Sequence, residues 1–366
     1  MSQLTETAAA TSLDWSPASP SDIDFTGELN ARLEQAIARK RVWNLHGVIV
    51  MRNGRVALER YFEGDDNARG RPLGTVAFKP DTLHDMRSVT KSIVCLLYGI
   101  ALDAGKVPPP DAPLFASFPE YPDLAADPKR SRWTVEHVLT MTMGTDWDEL
   151  SVPYTNPAND EIAMDNAPDR YRYVLDRPVV LDPGKRWIYN GGATALLGKI
   201  IAKGTGKPMH DYAKEMLFDP LGIANTEWFF GREGDATAAS GLRITPRDLA
   251  TFGQLMLRNG ALNNKQIVPA AWIKRITTPF VRIDEIRHYG YQWYLGNWSF
   301  VTASRPRWDR QRLESFYSAV GNGGQRLFIF PGLDLAVATT FGNYNVPDQW
   351  MPPTNLMNDV VLPCVI

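Results

Sequence analysis

Cysteine is almost missing from this chain: 366 residues contain two, Cys95 and Cys364. They lie far apart, and Cys95 sits inside an apolar run, so buried free thiols and no disulfide are expected. Long hydrophobic runs are missing too. The longest, Ser92 to Leu102, falls short of the roughly 20 residues needed to cross a bilayer and reads as a core helix. Nor is there an excess of one charge: 39 Lys and Arg oppose 41 Asp and Glu, and no polybasic run occurs. No broad field exists to gather nucleic acid or an anionic membrane, which leaves a small, near-neutral molecule as the expected partner. The five histidines, His46, His84, His137, His210 and His288, are scattered, with no His-Glu-x-x-His and no cysteine pairs for zinc, and each is expected to be structural. "GTGKP" at Gly204 to Pro208 lacks phosphate-loop spacing, and "GNGGQR" lacks the last glycine and the helix of a dinucleotide fingerprint. No metal, nucleotide or other cofactor is expected. Gly-x-Ser-x-Gly is absent, which argues against a Ser-His-Asp triad on an α/β-hydrolase fold. The first 25 residues show neither a basic n-region nor an apolar h-region, so the expected location is the cytoplasm.

What is present is an ordinary globular composition, 44% hydrophobic and 22% charged, in a chain long enough for two interleaved lobes. Residues 1–25, rich in Ala, Ser, Thr and Pro, read as a flexible arm. "GELNARLEQAIARKR" has the spacing of an amphipathic helix. In "LHGVIVMRNGRVALERYF" two β-rich runs flank Asn53-Gly54, a strong hairpin signal. The run after Ser88 should be a helix stopping near Ala104, with Gly105 as its cap and Pro108 to Pro110 forbidding continuation. From there to about Thr226 helices and long loops are expected. "TPRDLATFGQLMLRNG" adds a helix with Thr245 as cap and Pro246 first. Beyond it "HYGYQWYLG", "GQRLFIFP" and "DLAVATTFGN" read as strands. The expected fold is α/β: an antiparallel sheet flanked by helices and built from both chain ends (26–87 and 227–366), with a mostly helical lobe inserted at 88–226.

"HDMRSVTKSIVCLLYGIAL" places Ser88 and Lys91 three residues apart, on one face of the same helix. A serine hydroxyl is a weak nucleophile until something takes its proton, and a lysine can do so only where its surroundings favour the neutral amine. The apolar run supplies such burial, and the helix N-terminus offers N–H groups to a developing oxyanion. A chain of this length should contain about one Ser-x-x-Lys by chance. The bland alternative is a surface helix start with Ser88 as cap and Lys91 in solvent.

"RSVTKS" resembles the first motif of the penicillin-recognising serine hydrolases, the superfamily of class C β-lactamases, D-alanine carboxypeptidases, β-lactamase-like esterases and 6-aminohexanoate-dimer hydrolases. "LDPGKRWIYNGGATALLGKII" resembles the second motif region, with Tyr189 on the position of the catalytic tyrosine. "WTVEHVLTMTMG", "LFDPLGIANTEW" and "SAVGNGGQRLFIFPGLDLAVATT" resemble further segments in the same order, so the likeness runs from about Leu45 onward. Two departures stand out. Where the family has Tyr-x-Asn, this chain has Tyr189, Asn190 and Gly191. Where it has Lys-Thr-Gly, this chain has Ala319, Val320 and Gly321, without the cation that would hold the carboxylate of a β-lactam or a D-Ala-D-Ala peptide.

The resemblance implies a β-lactamase/transpeptidase-like fold and a serine hydrolase in which Ser88 attacks an acyl carbon, Lys91 takes its proton and Tyr189, as phenol or phenolate, relays it to the leaving group. Backbone N–H groups of Ser88 and Asn322 would form the oxyanion hole. Asn190, Gly323 and Gln325 are candidate substrate contacts, Gly323 and Gly324 having an equal reading as turn glycines. Tyr154, Tyr171 and Tyr173 either line the entrance or cover it. A small ester comes first as substrate and a linear amide of the aminohexanoate-oligomer type second. An acyltransferase of the same fold and a non-catalytic binding module are the alternatives.

Overall fold

The computed structural model describes residues 13–302 and 311–366. Its spine is a nine-stranded sheet: β1 (Asp14–Pro17), β2 (Leu45–Arg52), β3 (Arg55–Tyr61), β4 (Val281–Arg282), β5 (Arg287–Tyr289), β6 (Tyr294–Val301), β7 (Gln311–Gly321), β8 (Gln325–Phe330) and β9 (Leu335–Phe341). The spatial order is β1-β3-β2-β9-β8-β7-β6-β5-β4, so the first hairpin inserts beside the last strand. All neighbours are antiparallel except β1 and β3. The β2–β3 turn is made by Asn53 and Gly54, both at positive φ (51° and 74°), as a two-residue hairpin of the twisted kind requires.

Both faces of the central strands are covered, which is why "LHGVIVM" reads as an unbroken apolar run rather than an alternation. Ile49 and Met51 face one core with Leu327, Ile329 and Ala338. Val48 and Val50 face the other with Phe328, Phe330 and Val337. The second core is closed by helix α1 (Leu29–Ala38) and by the C-terminal segment around Leu356, Val360 and Val361. The first is closed by α2 (Val89–Asp103), α3 (Gly191–Thr205) and α4 (Pro246–Leu257). α2 is buried from Val89 to Ala101. It ends where expected, with Gly105 at φ 65°, and α4 starts with Thr245 accepting from the Asp248 N–H at 3.1 Å.

One sequence expectation changes, and one element has no counterpart in the sequence reading. Of the arm read at 1–25, residues 1–12 lie outside the described residues, but the rest is anchored: β1 pairs with β3, and Ile23 and Phe25 are buried in the second core. The unforeseen element is a hairpin, Glu63–Ala68 with Arg71–Ala77, in a stretch whose polar, glycine-bearing sequence gives no strand signal. Cys95 and Cys364 are both free and buried. No helix among the described residues is long and apolar enough to cross a membrane.

Candidate active site

Ser88 sits at the start of α2, reached through a short strand, His84–Asp85, that pairs with Leu242–Ile244. Arg87, immediately before it, has φ 49°, the left-handed region that a side chain of this size adopts only when its surroundings impose it. On the other side the end of β7 abuts the same turn: a Cβ on Gly321 would lie 2.4 Å from the Met86 carbonyl, so only glycine admits this approach. The approach seats Asn322 beside Ser88, both lining a cavity of about 190 Å³. Gly323 (φ 94°) and Gly324 (φ 101°) then turn the chain into β8.

The Ser88 hydroxyl does not cap its helix. It accepts a 3.0 Å hydrogen bond from Lys91 Nζ, which also donates to the Ala239 carbonyl at 3.0 Å. Lys91 is 2% exposed, which excludes the surface-helix reading. The Tyr189 ring lies 5.0 Å from the same amine. Burial first, then Tyr154 and Glu149, push the Tyr189 phenol well above its ordinary range, so it stays protonated. The Ser88 and Asn322 N–H groups have no acceptor among the described residues.

The wall facing Lys91 is not apolar, contrary to the expectation from the helix alone. Glu149 Oε1 lies 3.7 Å and Glu161 Oε2 4.0 Å from its amine, both acids fully buried. Glu149 Oε2 accepts from the Gly191 N–H (2.6 Å) and Trp147 Nε1 (2.9 Å), and Oε1 from the Tyr154 hydroxyl (3.0 Å). Glu161 Oε1 accepts from Ser240 Oγ at 2.5 Å. Burial pushes Glu149 up to about 8 against the pull of Lys91. Burial acts on Glu161 in the same direction, but Lys91, the bond from Glu149, Arg69 and Ser240 outweigh it and bring it to about 2. The pair therefore keeps one proton through neutral pH, seated on Glu149.

These acids occupy the place left open by Tyr189-Asn190-Gly191. A Cβ on Gly191 would meet Glu149 Oε2 at 3.0 Å and Glu161 Oε2 at 3.3 Å. Asn190 points elsewhere: its Oδ1 caps α3 by accepting from the Ala193 N–H at 2.9 Å, and it does not reach the cavity. Gln325 is another correction. It is 0% exposed, and its amide bonds the Asn322 and Phe341 carbonyls (3.1 and 2.8 Å) and the Phe341 N–H (2.9 Å), so it braces the Asn322 turn from behind. Gly323 donates its N–H to Gln349 Oε1 and serves the turn. Of the three entrance tyrosines only Tyr154 lines the cavity; Tyr171 donates to Asp235 (2.7 Å) and Tyr173 to Asp160 (2.6 Å).

Three arginines surround the site. Arg69, at the tip of the 63–77 hairpin, lines the cavity and pairs with Asp165 at 2.7 Å. Arg87 lines it too and faces Asp85 at 3.3 Å. Arg326 on β8 is buried and donates to the Gly321 carbonyl at 2.7 Å, so a cation from the next strand stands against the Ala319–Gly321 stretch that has no lysine of its own. Sequence reading missed Glu149, Glu161 and all three arginines. The signal available for the acids was the glycine in the amide position of the second motif, which leaves a space that another side chain must fill.

Comparison with known proteins bears on this constellation. Residues 35–348 match the family model described as Beta-lactamase. The chain is 23% identical over 361 residues to the 6-aminohexanoate-dimer hydrolase of Paenarthrobacter ureafaciens, covering 95% of this chain and 85% of that protein. It is 28% identical over 222 residues to Esterase EstB of Burkholderia gladioli, covering 58% of this chain but only 54% of that protein's length. Among solved structures, a putative 6-aminohexanoate-dimer hydrolase from Bacillus anthracis superposes with a TM-score of 0.69 at 19% identity, over 88% of this chain and 80% of that one. EstCE1, described as a hydrolase with promiscuous acyltransferase activity, superposes with a TM-score of 0.68 at 15% identity, over 91% and 97%.

Proposed function

Since the chain belongs to the beta-lactamase family and is a serine hydrolase of that family, we propose that it hydrolyses small, uncharged carboxylic esters through an acyl-enzyme on Ser88, with linear amides as second substrates. The observation that carries this is the 3.0 Å contact between the buried Lys91 amine and Ser88 Oγ, whose residue lines the cavity. In this reading Ser88 Oγ attacks the acyl carbon and its proton passes to Lys91. The carbonyl oxygen becomes an oxyanion held by the Ser88 and Asn322 N–H groups, donors worth a factor of about 10² to 10³ each. Collapse expels the alkoxide, which takes a proton from Tyr189 as Lys91 re-protonates the phenol. Water then repeats the sequence on the acyl-enzyme and frees Ser88. Ser88, Lys91 and Tyr189 come from the segment read as the helical lobe, 88–226, and Asn322 from the lobe built by 26–87 and 227–366.

Ester precedes amide for two reasons. Each arginine on the cavity wall already faces a carboxylate, so a substrate bearing its own carboxylate meets no uncommitted cation there. A cavity of about 190 Å³ is also below the roughly 300 Å³ at which ordinary ligand pockets begin, which suits a short acyl chain. Transfer of the acyl group to an alcohol in place of water uses the same intermediate, and the promiscuous acyltransferase activity of the structural neighbour EstCE1 supports it as a side reaction. Cytoplasmic residence belongs to the same reading, supported by two reduced, buried thiols.

The test is intact-protein mass after treatment with a fluorophosphonate, alongside turnover of p-nitrophenyl butyrate, for wild type and Ser88→Ala. One adduct per chain and ester turnover in wild type, both lost in the folded variant, is the expected result. A folded wild type that neither labels nor turns over the ester would refute the reading and favour a binding module.

A further inference from the structure

Away from the catalytic cavity, three potential ligands that are distant in sequence meet inside the protein. His46 lies on β2, Asp66 on the first strand of the 63–77 hairpin, and His84 on the short strand that leads into Ser88. All three are buried: His46 at 1%, Asp66 at 5% and His84 at 0% exposure. His46 Nδ1 is 3.0 Å from His84 Nε2, which is 3.8 Å from Asp66 Oδ1, and one ligand atom from each residue lies within 4.8 Å of the others.

The surroundings orient these atoms toward one another. His84 Nδ1 donates to the Asp85 carbonyl at 3.1 Å, which leaves the Nε2 lone pair facing the cluster. A carbonyl behind the ring in this way is the usual support of a metal-bound histidine. Tyr344 donates its hydroxyl to Asp66 Oδ1 at 2.9 Å. The other oxygen, Asp66 Oδ2, is buried with no hydrogen-bond partner, an arrangement that a carboxylate does not sustain without cost. No Lys or Arg forms an ion pair with Asp66 among the described residues. The backbone is shaped around the His46 ring: Phe78 stacks on it at 4.2 Å, and a Cβ on Gly64 or Gly342 would come within 2.6 or 2.7 Å of its atoms.

We propose that His46, Asp66 and His84 bind one divalent cation of the zinc class, which ties β2 and the 63–77 hairpin to the segment that ends at Ser88. Tetrahedral zinc, with bonds of about 2.0–2.2 Å to nitrogen and oxygen, sets neighbouring ligands about 3.3–3.5 Å apart, and the present spacings bracket that value. Two imidazoles and a carboxylate suit zinc better than calcium or magnesium, with a water completing the shell. Binding moves the His46 proton from Nδ1 to Nε2 and breaks the contact between the rings, with no change in the charge of either. Asp66 Oδ2, or its bound partner oxygen, gains the cation it lacks. Because the cation lies behind the nucleophile's strand and not in the cavity, its role is to hold the Arg87–Ser88 turn, and it takes no part in acyl transfer.

The sequence expectation of no metal site rested on local spacing. His46 and His84 are 38 residues apart and lie in different sheets, and only the packing of those sheets brings them together.

The test uses the full chain, stripped with EDTA and titrated with zinc chloride, with bound metal counted by mass spectrometry and the unfolding midpoint followed in parallel. One zinc per chain, a higher unfolding midpoint, and at least tenfold weaker binding in the near-isosteric Asp66→Asn would support the proposal. Anomalous diffraction at the zinc edge on the wild type decides the case even if the variant does not fold: a peak between His46, Asp66 and His84 supports it. No retained zinc, a peak elsewhere, or equal binding by a folded Asp66→Asn overturns it. None of these readouts involves ester hydrolysis, so failure here and failure of the hydrolase reading are separate events.

Discussion

Replacing Glu149 by Gln should remove an ionisation near pH 8 from both activity and stability. The amide reproduces the protonated acid: its oxygen can accept from Gly191 and Trp147, and its NH₂ can face Glu161 and the Tyr154 oxygen. In the wild type, loss of the Glu149 proton puts a second negative charge 3.7 Å from Lys91. Glu149 then no longer donates to Glu161, and two like charges stand together beside the Lys91 amine that holds Ser88, so the geometry is disturbed and kcat/KM should fall as pH rises through about 8. For stability the sign follows from proton counting. The native state holds a proton on Glu149 up to about pH 8, whereas the unfolded chain releases it near the ordinary 4.5. Stability is therefore lost as pH rises between those values, by up to about 1.4 kcal/mol per unit, or about 2 to 3 kcal/mol between pH 6 and 8. Glu161, brought to about 2, titrates below this window. The histidines contribute equally to both proteins and cancel in the comparison. The assays are the pH profile of p-nitrophenyl butyrate hydrolysis from 6 to 9.5 and urea unfolding at pH 6, 7 and 8. Glu149→Gln should lack the alkaline fall and should gain on the wild type with each step in pH. Superimposable profiles and parallel stability curves would refute the shared-proton account.

Tyr154→Phe removes a donor to the Glu149 anion, so the alkaline fall in kcat/KM should move to higher pH; a move to lower pH would contradict the assignment. Gly191→Asn, which restores the side chain at the family's amide position, should destabilise by about 1 to 3 kcal/mol through overlap with Glu149. A Glu149→Ala background should relieve at least half of that loss in urea unfolding, and an additive pair of losses would show that the two sites do not meet. Tyr189→Phe should lower kcat for the ester about 10² to 10⁴-fold while fluorophosphonate still labels Ser88. Unchanged turnover would remove Tyr189 from the proton relay.

The parts of this molecule legible in sequence are those whose signals are local. Asn53-Gly54 marks its hairpin because a two-residue turn demands positive φ at both positions, and Thr245-Pro246 marks a helix start because cap and first-turn chemistry are confined to four residues. Ser88 and Lys91 were readable for the same reason, being one helical turn apart. Asn190 misled because an asparagine beside the tyrosine suggests a pocket amide, while its position before α3 makes it a cap. Gln325 misled in a similar way: its place in the hairpin turns the amide onto backbone carbonyls. Glu149, Glu161, Arg69 and the His46–Asp66–His84 cluster depend on contacts between elements tens of residues apart. In a chain with 41 acids, no composition argument selects those two.

On the proposed reading, the carboxylate pair stands in for the asparagine that the second motif lacks. An asparagine side chain presents one acceptor and one N–H donor face to its surroundings. A carboxylic acid presents an acceptor and an O–H donor in nearly the same plane, but only while it is protonated. A carboxyl with an ordinary titration would be an anion at neutral pH and could only accept. Burial of Glu149 to the point where it holds its proton up to about 8 turns it into the equivalent of the amide, with the acceptor directed at the Gly191 N–H and the donor at Glu161. The anionic Glu161 then faces the Lys91 amine across 4.0 Å. The substitution brings a pH limit that an asparagine does not have. The alkaline fall in activity is thus the property that would distinguish this active site from one built on Tyr-x-Asn.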